Sequence, residues 1–407
     1  MRRTVALVLA LLAVGAAPAS GQGLPDRLTS ILRPAGARAG AYVLDATSGT
    51  QLYASHGEDR KAPASAEKVY TTTTALRRYG TDGTLKTSAV SSATIGPDGT
   101  LASDLVLRGG GDPTFGSRAF AQRAYGGDAS VESLAEKLQA AGLRQVQGNV
   151  LGDESAWDAF RGVPDDGLRR VDPYVGPLSA LSFDRDLTPG GGAYVLRPAA
   201  YAAGKLRATL RAEGIAVTGG ARAGAAGGDA HQLAEVSSPS MAEIVRLTNR
   251  PSDNYLAESL LKGLGARFGS AGSTAAGTSV VEETVSADGA GPTVVDGSGL
   301  SRADQTSAHD VVRVLDGVRN DAGGAVFRAS LPVAGRTGTL RDRMRGTAAA
   351  GRCQAKTGTL SDVSALAGYC RAVSGHDLVF AVIMNGVSPS AARSEQDRFA
   401  SALVQLG

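Results

Sequence analysis

The sequence predicts an α/β protein built discontinuously, in which both ends of the chain form one unit and a β-rich unit is inserted between them. Three observations carry this reading. Strand-like apolar runs stand beside helical patterns near the start (Gly40 to Leu44, Gln51 to Tyr53) and again near the end (353–358, 364–371, 378–385). From residue 82 to 239 the pattern changes to short β-like runs separated by glycine-rich turns. Nothing repeats at a fixed period, so an array of repeats is excluded. At 407 residues the chain is long enough for two or three domains. The expected division is a signal peptide over 1–21, a first domain from 22–81 plus 240–407, and an inserted domain over 82–239.

The elements follow in order. Arg2-Arg3, an apolar run from Val5 to Val14 and the small residues Ala17-Pro18-Ala19 have the layout of a secretory signal peptide. The protein is therefore expected to be exported, to the cell envelope, the periplasm or the medium. No cysteine follows the run, so neither a lipid anchor nor another stable membrane anchor is expected. Polar Asp45-Ala46-Thr47-Ser48-Gly49 turns a hairpin between the first two strand runs. A helix follows Ser65 and stops at Tyr79-Gly80, where glycine suits the end. The insertion reads as strands at 105–107, 146–151, 193–196 and 215–217, with helices near 133–141 and 199–214. Ser240 caps a helix over 241–248, Arg250-Pro251 breaks it, and 255–264 resumes. A helix at 309–318, three strands and a last helix over 391–406 complete the chain. Cys353 and Cys370 are the only cysteines. If 352–358 and 364–371 form a hairpin, the thiols fall near opposite each other, and export permits a disulfide; two buried free thiols are the alternative.

Composition removes several function classes. A net charge of +3 and a charged fraction of 20% give no polyanion-binding surface. Aromatics at 5% are too few for a nucleic-acid stacking platform, so no nucleic-acid partner is expected. Gly109-Gly110-Gly111 lacks the downstream Gly-Lys-Ser/Thr of a phosphate loop and reads as a turn. The four histidines are scattered, and neither a metal site nor a cofactor is expected.

The chemistry concentrates in three short motifs. In Ser65-Ala66-Glu67-Lys68 the serine and lysine lie one helical turn apart on a shared face. Serine is a poor nucleophile until a base takes its proton. Lysine serves as that base once burial or a neighbouring cation pulls its pKa down. Ser259-Leu260-Leu261-Lys262 matches the same pattern, but its serine falls mid-helix, on helix surface and core, with no free backbone N–H to hold an oxyanion. Ser252-Asp253-Asn254 stands in the break between two helices, and Lys356-Thr357-Gly358-Thr359 at the end of a strand. The order S-x-x-K, S-D-N, K-T-G is the signature of penicillin-binding proteins and class A β-lactamases. Arg336-Thr337-Gly338-Thr339 nearly copies the third motif, but Arg341-Asp342-Arg343 follows it and it reads as an exposed loop.

With these motifs the chain resembles the D-alanyl-D-alanine carboxypeptidases/endopeptidases of the low-molecular-mass class C penicillin-binding proteins. Leu105 to Thr114, Gly148 to Asp153 and Asp296 to Arg302 extend the likeness over nearly all of the mature chain. The departure is size: 187 positions separate Ser65 from Ser252, fewer than in many members, so a second nested domain is expected to be reduced or missing. The resemblance implies a transpeptidase-type domain, an antiparallel sheet flanked by helices. It implies cleavage of D-Ala-D-Ala ends or D-amino-acid cross-links of peptidoglycan stem peptides, and acylation by β-lactams. Ser65 would attack, with Lys68 as base and Ser252 as proton relay. Asn254, Lys356, Thr357, Gly358 and Thr359 would bind substrate, and the backbone N–H groups of Ser65 and Thr359 would form the oxyanion hole. Asp153 and Arg302 are weighed as stem-peptide contacts against structural roles. A class A β-lactamase is the nearest rival, but the Glu-x-x-Leu-Asn segment that activates its deacylating water is absent. A non-catalytic cell-wall binding protein is the other, against which the intact motif residues speak.

Overall fold

A computed structural model describes residues 23–407. The expected signal peptide lies outside the described residues. The described residues open with α1 (Leu24–Leu32), which buries Leu28 and Leu32. An antiparallel hairpin of β1 (Ala39–Asp45) and β2 (Thr50–Ser55) follows. A 3₁₀ turn, Ala64–Glu67, then leads into α2 (Lys68–Tyr79), which stops at Gly80 with φ 76°.

The middle of the chain carries β3 (Lys86–Ser91), β4 (Thr100–Leu101), β5 (Leu105–Gly109), α3 (Arg118–Tyr125) and α4 (Val131–Ala140). It continues with β6 (Gln145–Val146), β7 (Val150–Asp153), α5 (Pro198–Ala212), β8 (Ala216–Val217), β9 (Ala221–Ala223) and β10 (His231–Ser237). These strands form a five-stranded sheet, β10-β3-β5-β7-β9, and a small parallel one, β4-β6-β8. Leu101, Leu107, Val146, Val150, Leu206 and Val217 come from both sheets and α5 and share one core. Two strand expectations are corrected here. Residues 146–151 are not one strand, because the chain steps at Gly148 from the small sheet into the large one. Residues 193–196 are not a strand either: Tyr194 makes a single bridge to Leu187, and Leu196 is 82% exposed. That segment is caught between Gly190-Gly191-Gly192 and the proline opening α5, with no sheet edge to pair against.

The remaining elements are α6 (Met241–Asn249), α7 (Asn254–Phe268), α8 (Thr274–Ser286), α9 (Ala308–Arg319), α10 (Gly324–Ser330), β11 (Cys353–Thr359), β12 (Val363–Arg371), β13 (Asp377–Asn385) and α11 (Pro389–Val404). Ser240 caps α6 as expected, its Oγ accepting from the Glu243 N–H. The main sheet is antiparallel in the order β11-β12-β13-β1-β2, so the two ends of the chain meet in one sheet, with Ala41 opposite Val382. Alternate residues of β13 serve opposite faces. Leu378, Phe380, Val382 and Met384 pack in the core that holds Leu28 of α1 and Phe399 of α11. Val379, Ala381 and Ile383 pack in the core that holds Val69 of α2, Leu261 of α7 and Val311 of α9. Burial on both faces is why this strand reads as an unbroken apolar run. Among the described residues, no helix is long and apolar enough to cross a membrane.

Cys353 and Cys370 stand directly opposite in the β11–β12 ladder, wholly buried and joined as a disulfide. Their separation of 17 positions closes a loop whose loss of unfolded-state entropy stabilises the fold by about 3 kcal/mol. Thiol titration of the denatured, unreduced protein should therefore find no free thiol. Cys353→Ser with Cys370→Ser should lower the urea midpoint; two titratable thiols would show that the bond does not form.

Candidate active site

Three separate segments converge beside β11. Ser65 sits half-buried on the 3₁₀ turn ahead of α2, with Ala64 before it at φ 48°. Ser252 and Asp253 fill the break between α6 and α7, and Ser252 is also left-handed at φ 66°. Such conformations cost a non-glycine residue of order 1–3 kcal/mol and persist only where surrounding contacts hold them. Two glycines allow that close packing. A Cβ on Gly358 would lie 2.5 Å from the Pro63 carbonyl, and one on Gly299 (φ +79°) would lie 1.9 Å from the Ala64 carbonyl. The β11 strand and the 296–301 loop thus press on the Ser65 turn.

Lys68 is wholly buried at the start of α2. Its Nζ donates to Ser65 Oγ at 3.0 Å, to Asn254 Oδ1 at 2.8 Å and to the Ser298 carbonyl at 2.6 Å. Asn254 is oriented by its Nδ2, which donates to the Tyr174 carbonyl at 3.3 Å. Burial pulls the Lys68 pKa down to about 8, against the opposing pull of Asp296 and Glu258. Of its three partners, only the Ser65 hydroxyl has a hydrogen to give. A neutral Lys68 therefore keeps its two N–H bonds on the carbonyl oxygens of Asn254 and Ser298 and turns its lone pair to Ser65.

Lys356, also wholly buried, donates to Ser252 Oγ at 2.8 Å and to the Thr357 carbonyl at 2.8 Å. Burial, and then the Lys68 charge, push its pKa well below the usual lysine range. The repulsion between the lysines thus acts on Lys356, whereas burial is what lowers Lys68. Thr359, exposed at the strand end, accepts from the Arg393 guanidinium at 3.2 Å.

The structure brings Ser65, Lys68 and Asn254 together on one side, and Ser252, Lys356 and Thr357 on the other. It sets the second S-x-x-K apart. Ser259 is buried mid-helix in α7, in the core and not at its surface, and Lys262 Nζ reaches Asp158 Oδ1 at 2.6 Å. Asp153 lies in β7, bonded to the Ala226 N–H and paired with Arg108, in a structural role. Arg302 pairs with Asp362 at 2.6 Å and bonds Ser361, just past β11. Sequence reasoning missed four contributors. Thr339, exposed as expected for the near-copy of the third motif, stands 2.7 Å from Thr357, hydroxyl to hydroxyl. Ser298 and Tyr174 act through backbone carbonyls, which no side-chain pattern announces. Arg185, at φ 57°, grips Asp253 with two bonds of 2.7 and 2.9 Å and lies over the Tyr255 ring at 4.6 Å. Asp253 in turn caps α7 by accepting from the Leu256 N–H.

A serine and a buried lysine held by an S-D-N loop and a K-T-G strand, on a helix-flanked antiparallel sheet, define an acyl-transferring serine peptidase. The D-Ala-D-Ala carboxypeptidase 3 (S13) family model matches residues 26–190 and 188–406. The chain is 30% identical to the D-alanyl-D-alanine carboxypeptidase of Actinomadura sp. (strain R39), over 99% of this chain and 90% of that protein. It is 32% identical to the carboxypeptidase DacB of Mycolicibacterium smegmatis, over 90% and 80% of the respective chains. The crystal structure of penicillin binding protein 4 (dacB) from Haemophilus influenzae shares the fold at a TM-score of 0.76 and 19% identity, covering 92% of this chain and 98% of that one. That protein has also been solved complexed with a β-lactam. The chain belongs to the D-Ala-D-Ala carboxypeptidase 3 (S13) family.

The Arg185 grip generates a stability prediction. Arg185→Ala leaves the Asp253 carboxylate, only 17% exposed, without its cation and should cost about 2–3 kcal/mol. Urea unfolding reads the loss. Arg185→Lys should recover little of it, since an ammonium cannot bond both oxygens in the same fork; full recovery would show that charge alone matters.

Proposed function

We propose that the protein is an exported serine DD-peptidase that cleaves D-alanyl-D-alanine ends or cross-links of peptidoglycan stem peptides, and that β-lactams acylate it at Ser65. The observation that carries this is the Lys68–Ser65 contact, in which a dry lysine faces a hydroxyl. Lys68 takes the Ser65 proton as Oγ bonds to the carbonyl carbon between the two D-residues. The developing oxyanion is held by the backbone N–H groups of Ser65 and Thr359. The proton passes through Ser252 Oγ to the departing amine as the C–N bond breaks, leaving an acyl-enzyme. Water then enters, and the same groups return Ser65 and release the acid.

Lys356, Thr357 and Thr359 receive the terminal carboxylate of the substrate, and Asn254 the amide of the acyl part. Burial holds Lys356 low on the pH scale, so an arriving carboxylate is what favours its charged form. Gly358 serves by having no side chain: the strand edge can then lie close enough to the Ser65 turn to pair with an extended peptide. The family resemblance, the R39 relative and the fold shared with penicillin binding protein 4 support this reading over the lactamase and binding-protein alternatives.

Intact-mass analysis after benzylpenicillin should find one stable adduct, and peptide mapping should place it on Ser65. A label on the Ser259 peptide would overturn the assignment. Lys68→Ala should slow acylation by about 10²–10⁴-fold. Lys356→Ala should weaken peptides ending in free D-Ala more than their amidated counterparts; equal slowing of both removes its carboxylate role.

A pH profile checks the base. Lys68 works when it has lost its proton, so the acylation rate should rise with pH and level off above about 8. A profile that falls over pH 7–9 would be incompatible with a neutral lysine base.

A further inference from the structure

One concave surface lies outside the machinery described above, and a second adjoins it. A cavity of about 630 Å³ is walled by Phe120, Phe183 and Tyr201 and carries Arg123 and Lys205. A second, of about 400 Å³, is bounded by Tyr174, Tyr194, Pro251 and Asp253. Phe120 and Leu187 line both, so the two adjoin and we treat them as one groove. The groove therefore runs from the middle of the chain to the residues on either side of Ser252.

Its charges are uneven. The Lys205 ammonium stands over the Phe183 and Tyr201 rings at 5.6 and 4.9 Å, and the Arg123 guanidinium over Phe120 at 5.9 Å. Among the described residues, neither cation lies within ion-pair distance of a carboxylate. Two acids share the wall, beyond ion-pair distance of the cations and each hydrogen-bonded to its own neighbour. Asp184 accepts from the Ser117 N–H and hydroxyl, and Glu132 from the Arg118 N–H. What faces the groove is two available cations on aromatic floors. That surface suits a carboxylate-bearing peptide with small apolar side chains, since cations take the carboxylates and rings take the methyl groups.

Position decides which peptide. Resting on the DD-peptidase reading, Ser252 hands the proton to the departing amine, so the leaving strand lies on its side of the cleft. Pro251 and Asp253, on either side of Ser252, bound the near end of the groove together with the Tyr174 ring, which is 76% exposed. We propose that this groove binds the leaving-strand stem peptide of a cross-linked substrate, with Lys205 and Arg123 holding its distal carboxylates. A single D-alanine leaving group is too short to reach it, so the groove selects cross-linked over uncross-linked substrate.

The test compares wild type with Arg123→Ala/Lys205→Ala on two substrates: diacetyl-Lys-D-Ala-D-Ala, and a cross-linked muropeptide dimer released from sacculi by a muramidase. The variant should keep kcat/KM on the tripeptide within about twofold and lose about tenfold or more on the dimer, chiefly through KM, equivalent to about 1.4 kcal/mol or more. Arg123→Lys/Lys205→Arg should restore part of that loss. An unchanged dimer rate, or equal losses on both substrates, would overturn the proposal. Calorimetry of the dimer with Ser65→Ala protein reads the groove without turnover, so inactivity of wild type on the tripeptide would count against the DD-peptidase reading and not against the groove. Tighter binding of peptide-free glycan than of the dimer would also sink it.

Discussion

A lysine can act as a base near neutral pH only if it is dry, and a dry lysine must be held by groups that replace water. Taking an ammonium out of solvent costs several kcal/mol unless hydrogen bonds compensate. Lys68 finds that compensation in Asn254 and Ser298, which lie 186 and 230 positions further along the chain. Everything between, including the sheets β10-β3-β5-β7-β9 and β4-β6-β8, has to return the chain to the same point. The fold is therefore constrained less by its helices than by where α7 begins and where the 296–301 loop passes. Gly299 makes the second of these possible, because any side chain there would collide with the Ala64 carbonyl.

Behind Lys68 lies an acidic layer: Glu67, Glu258, Asp296 and Asp304, all wholly or nearly wholly buried. Four carboxylates so placed cannot all be ionised beside one amine. Burial and then the Asp296 charge push Glu258 up to about 8 and Asp304 to about 11, and Glu67 is raised for the same reasons. Asp296 itself is fastened by backbone N–H groups of Ser298, Gly299 and Ser301. Burial remains the largest influence on Lys68, with Asp296, Glu258 and Glu67 opposing it. As pH rises and the neighbours ionise, they pull in the opposite direction, so the layer limits how far the amine can be driven toward neutrality.

Much of this was legible in the sequence where the signal was local. The Ser65 helix, the Ser240 cap, the break at Arg250-Pro251 and the three C-terminal strands all announce themselves within a dozen residues. The cysteines also fell opposite each other once that hairpin was read. What failed was pairing at a distance. Lys86–Ser91 and His231–Ser237 carry too little apolar alternation to read as strands, yet they pair with each other across the edge of the second sheet. Conversely 193–196 had the composition of a strand and no partner. Thr339 was visible, but only the fold could set its loop against Thr357. The carbonyls of Ser298 and Tyr174 belong to the backbone, and sequence carries no mark of them.

The two S-x-x-K copies show how placement, not pattern, decides chemistry. Both lysines are buried in the same helical layer. Lys262 meets a carboxylate, Asp158, and the Phe160 carbonyl, both from the middle of the chain. Burial pulls its pKa down and Asp158 pushes it back, so it serves as a charged pin between α7 and the middle of the chain. Lys68 meets only neutral acceptors and a hydroxyl, with its carboxylates a layer away. Arg185 and Tyr174, also from the middle of the chain, fasten Asp253 and Asn254 at the start of the same helix. Residues from the middle of the chain thus supply the polar partners that fix the beginning of α7, and with it the oxygen that helps keep Lys68 dry. Burial is what lowers the Lys68 pKa, so the base role proposed for it depends on α7 staying pinned over it.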